Sequence, residues 1–98
     1  MTEKRLKIPH IGEFIQEELL AEYGVSVYKI AKDTEIPYMS LKGVIDGKRS
    51  LSAEVALILG KYFKVDSHFL MNLQADFQLM AKERELEQRL LGIKPLVA

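Results

Sequence analysis

The segment YMSLKGVIDGKR, residues 38–49, holds several side chains able to contact a nucleic acid. The Lys42 ammonium group can donate hydrogen bonds to the guanine acceptors of a major groove, and the Ser40 hydroxyl can contact a base edge with less selectivity. Lys48 and Arg49 fall in the loop that follows, where cations contact phosphates and position a protein without reading sequence. The pattern indicates a surface for double-stranded DNA.

Three further residues belong to the same candidate surface. Tyr38 and Met39 can touch a thymine methyl group, and the Tyr38 hydroxyl can reach a phosphate; packing against the core is an equally open role for both. Ser26 is expected to cap a helix, and the amides at that helix N-terminus would suit a phosphate. The candidate DNA-contacting residues are Ser26, Tyr38, Met39, Ser40, Lys42, Lys48 and Arg49.

No other pattern in the sequence points to catalysis or to a bound metal. The two histidines, His10 and His68, lie far apart and lack neighbouring ligand residues, whereas a protein metal site needs several ligands. A nucleophile, a base and an orienting group are not spaced as a catalytic set. Cysteine is absent, which excludes disulfides and thiolate chemistry. We therefore expect a protein that is not an enzyme and has no cofactor.

Helical periodicity predicts an all-α fold of five helices that position these residues. The 98 residues suit a single domain, 1–98, with its core at about 8–80. We place a helix-turn-helix at about 26–46 and a long C-terminal helix at about 67–91. The expected N-caps of the second, fourth and fifth helices are Ser26, Ser52, and either Asp66 or Ser67.

The two short helices within residues 26–46 meet the requirements of a helix-turn-helix. Ile36 supplies an apolar plug for the turn between them. Leu41, Val44 and Ile45 recur at helical spacing, so they are expected to bury one face of the second short helix. The opposite face is then left to enter a DNA groove.

The C-terminal helix carries two apolar seams. The seam expected to face the core consists of Phe69, Leu73, Phe77 and Met80. A second seam lies on a shifted face and consists of Leu79, Leu86 and Leu90. Since exposed apolar stripes usually mark association, we expect this second seam to hold two copies of the chain together as a homodimer.

Charge is distributed unevenly along a chain whose formal net charge is zero. Residues 24–64 hold seven Lys or Arg and four Asp or Glu, whereas residues 10–23 hold four Glu and no Lys or Arg. A basic middle beside an acidic first helix favours an oriented approach to a polyanion. No apolar run is long enough to span a membrane, and the N-terminus has no secretory signal pattern, so a cytoplasmic protein is expected.

Three stretches of the chain resemble HigA-type antitoxins, a branch of the Cro/lambda-repressor-like helix-turn-helix proteins that also bears the label virulence-associated protein I. They are IPHIGEFIQEELL, SVYKIAKDTEIPYMSLKGVIDGKRSLSAEVALILGKYF and FLMNLQADFQL, within about residues 8–80. The resemblance implies a five-helix repressor fold and a homodimer on a palindromic operator. It also implies repression of the protein's own operon and neutralisation of a HigB-like RNase toxin that cuts messenger RNA.

The chain departs from that family's pattern at several positions. Family members usually have glycine in the turn where Glu35 stands. A left-handed conformation at Glu35 would cost roughly 1 kcal/mol. At the start of the recognition helix, Tyr38, Met39 and Ser40 replace residues that are often Arg, Asn, Ser or Thr, so the operator sequence is expected to differ.

Two alternatives remain open from the sequence. The chain is equally compatible with a solitary regulator that has no toxin. It is also compatible with a protein-binding module whose DNA binding is weak, because the start of the recognition helix is uncharged. The first helix carries four glutamates that could form either a docking surface for a basic toxin or a solvated face. They are Glu13, Glu17, Glu18 and Glu22.

Overall fold

The computed structural model describes residues 6–97, and within them the chain forms six helices and no strand. The first helix, α1, joins an α-helical turn (Ile11–Phe14), a π-helical segment (Ile15–Leu20) and a last α-helical turn (Ala21–Tyr23). The others are α2 (Val27–Thr34), α3 (Tyr38–Ile45), α4 (Ala53–Phe63), α5 (Ser67–Glu85) and α6 (Glu87–Leu91). The prediction of an all-α fold is confirmed.

The π-helical segment of α1 changes which residues the helix buries. Within it the Ala21 N–H donates to the Gln16 carbonyl, five residues back instead of four. Ile15, Leu19 and Leu20 are all buried as a result. The helix ends at Gly24, which has a left-handed conformation and forms a glycine C-cap.

Gly12 lets α1 lie directly against the end of α3. A Cβ atom built on Gly12 would lie 2.1 Å from the Val44 carbonyl oxygen and 2.4 Å from that of Ile45. Only glycine allows so close an approach of one helix to the backbone of another. This contact fixes the C-terminal end of α3, which supports the loop after it.

The core is one cluster of aliphatic side chains to which α1 through α5 all contribute. Its fully buried members are Ile15, Ile30, Leu41, Leu51, Leu59 and Leu70. Burying an aliphatic side chain of this size contributes about 1.5–3 kcal/mol. Since Leu51 lies in the loop between α3 and α4, the core also anchors that loop.

The C-terminal region differs from the sequence-based expectation in two ways. The single helix expected at about 67–91 is divided at Leu86, whose backbone angles (φ −98°, ψ 11°) interrupt α5 and begin α6. The predicted core seam was partly wrong, because Leu70 and Gln74 are the buried residues of α5. Phe69 and Met80 are about half exposed.

Within residues 6–97 the structure contains no helix with both the length and the apolar character needed to cross a membrane.

Candidate nucleic-acid interface

The helix-turn-helix consists of α2, a three-residue turn and α3. The Ser26 hydroxyl accepts from the Lys29 N–H at 3.1 Å, which confirms Ser26 as the N-cap of α2. At the other end of α2, Glu35 adopts a left-handed conformation with φ 63°. Ile36 is buried as the plug of the turn. Pro37 then leads into α3 with an extended ψ of 131°.

One face of α3 is buried and the other is exposed. Leu41, Val44 and Ile45 are all in the core, as the sequence predicted. Met39 projects from the opposite side and is 73% exposed, while Tyr38 is 42% exposed. Both side chains are therefore accessible, which favours a contact role over packing. This exposed side of α3 is called the outer flank below.

Lys42 lies at the edge of the outer flank and is bound to Asp46. Its Nζ atom lies 2.8 Å from Asp46 Oδ1 and 2.9 Å from Oδ2. The hydrogen bond raises the pKa of Lys42 and lowers the pKa of Asp46. A phosphate or a base must therefore compete with Asp46 for this ammonium group.

Arg49 leaves the loop and lies over α3. Its aliphatic atoms pass across Gly43, where a built Cβ would lie 3.0 Å from Arg49 Cδ and 3.1 Å from Cγ. The Arg49 Nη1 atom lies 3.4 Å from Ser40 Oγ, at the edge of hydrogen-bonding distance. The guanidinium group is therefore carried onto the outer flank, beside Ser40.

Gly43 and Gly47 shape the loop that carries Lys48 and Arg49. The Gly43 carbonyl accepts from the Lys48 N–H at 2.9 Å and from the Arg49 N–H at 3.1 Å. Gly47 has φ 78°, as expected of a glycine that ends a helix. The ring of His10 lies against Gly47, and its Nδ1 atom accepts from the Gly12 N–H to cap α1. Both Lys48 and Arg49 are exposed.

The same loop is held from the other side by α5. Gln74 is only 7% exposed, and its amide makes two hydrogen bonds to the Leu51 backbone. The Leu51 N–H donates to Gln74 Oε1 at 2.5 Å, and Gln74 Nε2 donates to the Leu51 carbonyl at 3.0 Å. A further bond joins Gln78 Nε2 to Ser50 Oγ at 3.1 Å. Sequence reasoning missed this role because an isolated glutamine in a helix gives no sign that it faces inward.

A polar cluster joins α2 to α4 beside the helix-turn-helix. The Tyr62 hydroxyl donates to Asp33 Oδ2 at 2.6 Å, and Lys29 Nζ donates to the same oxygen at 2.9 Å. The hydrogen bond from Tyr62, followed by that from Lys29, lowers the pKa of the Asp33 carboxyl. The cluster therefore fixes α2 against α4.

The residues of the second predicted seam, Leu79, Leu86 and Leu90, differ in their surroundings. Leu79 is 65% exposed and borders a groove on α5 formed with Ala75, Gln78, Ala81, Lys82 and Glu85. Leu90 is 45% exposed and borders a different groove, together with Ile8 and Met80. Leu86 is half-buried at the break between α5 and α6. Their role in a contact between two copies of the chain stays a prediction.

Across residues 6–97, no group of three or more His, Asp or Glu side chains is arranged to hold a metal ion. His10 caps α1, while His68 is exposed at the start of α5. The polar side chains beside α3 are those of Ser40, Lys42, Lys48 and Arg49, together with the carboxylate of Asp46.

Two short helices joined by a three-residue turn, the second with one face in the core and the other exposed, place the protein in the class of helix-turn-helix proteins. No protein-family model matches the chain. It is 35% identical to virulence-associated protein A′ of Dichelobacter nodosus over 81 residues, which cover 81% of this chain and 70% of that protein. The chain belongs to this family, that of the virulence-associated proteins and HigA-type antitoxins.

Two solved structures share the fold over nearly the whole chain. One is the Pseudomonas aeruginosa antitoxin HigA with the higBA promoter, at 27% identity and a TM-score of 0.85, covering 93% of this chain and all of that one. The other is a Pseudomonas aeruginosa protein in complex with its 18-base-pair operator DNA, at 28% identity and a TM-score of 0.84. That match covers 94% of this chain and all of the other. None of these three proteins is named as an enzyme.

Proposed function

We propose that this chain is a sequence-specific DNA-binding repressor of its own operon and the antitoxin of a HigBA-type pair. The observation that carries the proposal is the exposed outer flank of α3, bordered by Lys42, Lys48 and Arg49. The two structural neighbours bound to promoter and operator DNA support it. Such a repressor works in the cytoplasm.

Docking of α3 in a major groove places the other candidate residues beside the base edges or the phosphates. A helix-turn-helix inserts its second helix in the groove while the first crosses the phosphates. Met39 and Ser40 then face base edges, with Tyr38 at the entrance to the helix. Ser26 and the amides at the start of α2 lie where a phosphate binds, and Lys48 contacts a second one.

The test is binding to the DNA upstream of the protein's own operon, measured by fluorescence anisotropy at several salt concentrations. Replacing Lys42, Lys48 and Arg49 together with alanine should abolish binding at moderate salt. Loss of the Lys48 phosphate contact alone would lower the slope of log affinity against log salt by roughly 1, and each further cation that neutralises a phosphate would add about as much.

The matched control removes the same charge elsewhere. Lys61, Lys64 and Lys82 lie on or just after α4 and on α5, outside the helix-turn-helix. Their replacement by alanine should leave most of the affinity and the salt slope intact. Equal binding by the two triple variants and the unaltered protein would refute the assignment of this surface.

We further propose that two copies bind a palindromic operator as a homodimer. A two-fold symmetric operator requires two recognition helices in fixed relation. Leu79, which is 65% exposed beside Ala75 and Ala81, supports an α5 contact, because association would remove this apolar surface from water. Leu79→Glu should shift the protein from dimer to monomer in sedimentation experiments, whereas Leu57→Glu, at a similarly exposed site on α4, should not. A Leu79→Glu protein that stays dimeric would exclude this contact.

The toxin partner is proposed on family membership. The expected partner is a small basic HigB-like RNase encoded next to this chain's gene. Co-expression should restore growth to cells that produce that toxin and should yield a stable complex. If no such gene lies nearby while operator binding holds, the solitary-regulator alternative is favoured. If a complex forms while the upstream DNA is not bound at low salt, the protein-binding module is favoured.

A further inference from the structure

The side chain of Arg49 lies against α3 even though the residue belongs to the loop between α3 and α4. Gly43 holds it in two ways: its carbonyl accepts from the Arg49 N–H at 3.1 Å, and its missing side chain leaves room for the Arg49 stem. Ser40 Oγ then lies 3.4 Å from Nη1. These contacts carry the charged end of Arg49 back along the outer flank by about a helical turn.

The outer flank otherwise lacks a strong donor for base recognition. Lys42 is the one charged residue in α3, and Asp46 engages its ammonium group through both carboxylate oxygens. Met39 is apolar and Ser40 has a single hydroxyl. An arginine fork, with its parallel N–H groups, matches the O6 and N7 atoms of guanine better than any of these.

We propose that Arg49 is a specificity-determining residue that reads a guanine in the major groove, with Gly43 and Ser40 as the residues that position it. The proposal rests on the DNA-binding function proposed above. It differs from the sequence-based expectation for Arg49, which was a phosphate contact. Lys48, the other cation of the loop, keeps the phosphate role and serves as the matched comparison.

The first experiment measures the affinity of each variant for the operator and for a set in which every base pair is changed in turn. In the unaltered protein, at least one G·C pair should lose affinity by on the order of 10- to 100-fold when replaced. In Arg49→Ala that preference should fall to less than about twofold while other positions keep theirs. In Lys48→Ala all positions should keep their preferences, with uniformly weaker binding.

Two results would overturn the inference without touching the proposed function. The first is an Arg49→Ala protein that binds every sequence more weakly by the same factor, as a phosphate contact predicts. The second is an Arg49→Ala protein that retains the full guanine preference, because another residue would then read that base pair. If the unaltered protein binds no upstream DNA, the proposed function itself fails, and this inference fails with it.

A second variant tests whether Gly43 positions the Arg49 side chain. Gly43→Ala adds a methyl group within 3.0–3.3 Å of three Arg49 side-chain atoms, so the stem must move away from the helix by a few tenths of an ångström. Alanine is also the better helix former, so unfolding should not become easier. The expected result is a several-fold loss of the guanine preference in a protein at least as stable. An unchanged preference would show that Gly43 does not position Arg49.

Discussion

Replacing Gln74 with methionine tests whether α5 holds the loop between α3 and α4. The two side chains are similar in length, so the substitution keeps the volume while removing both hydrogen bonds to Leu51. Gln74 is 7% exposed and Leu51 is 2% exposed. Neither the N–H nor the carbonyl of Leu51 would find a replacement partner on the methionine side chain.

The expected loss of stability follows from those two backbone groups. Leaving a buried donor or acceptor unsatisfied costs about 1–3 kcal/mol, so two such groups cost about 2–6 kcal/mol. Burial of a thioether in place of an amide offsets part of that cost. We therefore expect the free energy of unfolding to fall by ~2–4 kcal/mol, a large share of the ~5–15 kcal/mol typical of a domain.

Urea unfolding followed by circular dichroism measures this difference. The matched control is Gln78→Met, one turn further along α5, which removes an exposed bond to Ser50. That change should alter the free energy of unfolding by no more than about 0.5 kcal/mol. DNA affinity should also fall in Gln74→Met, since Lys48 and Arg49 lie in the loop that is released. If both variants unfold within about 0.5 kcal/mol of each other, the reasoning about Gln74 is refuted.

Three further predictions concern other parts of the fold. Glu35→Gly should raise the free energy of unfolding by about 1 kcal/mol, because glycine adopts the left-handed conformation of residue 35 without strain, whereas Glu35→Ala should bring no such gain. Gly12→Ala should lower the melting temperature, reflecting a loss of about 1–3 kcal/mol, because its methyl group would collide with the backbone of α3. Asp33 has a lowered pKa in the folded protein, so its contribution to stability is present above its ordinary pKa of 3.8 and is lost as the pH falls through the folded value. Tyr62→Phe removes the largest cause of that lowering, so the free energy of unfolding should depend less on pH in the acid range; identical pH profiles would contradict the assignment.

The features that the sequence predicted correctly depend on neighbours close in the chain. Ser26, Ser52 and Asp66 each accept from a backbone N–H two or three residues later, as a helix cap requires. The buried face of α3 follows from helical spacing alone, since apolar residues at positions i, i+3 and i+4 lie on the same side of a helix. Such local rules also suffice to place the turn and its apolar plug.

The features that the sequence did not predict depend on partners far away in the chain. Gln74 is hydrogen-bonded to Leu51, 23 positions earlier in the chain. Because glutamine is polar, the sequence favoured an exposed side chain at this position. Phe69 was expected in the core, yet it lies at the rim, in edge-to-face contact with Phe14 at a centroid distance of 5.7 Å. The position of Arg49 over Gly43 likewise depends on the path of the loop, which periodicity does not describe.

The π-helical segment of α1 has a consequence for chain length within the family. A turn closed by a bond to the fifth residue back contains one residue more than an ordinary turn. A homologue with a regular first helix would therefore be one residue shorter between Phe14 and Ala21, and its alignment to this chain would open a gap inside a helix. Insertions usually accumulate in loops; here the extra residue is absorbed by widening the helix, which leaves Gly12 and Gly24 at its ends undisturbed.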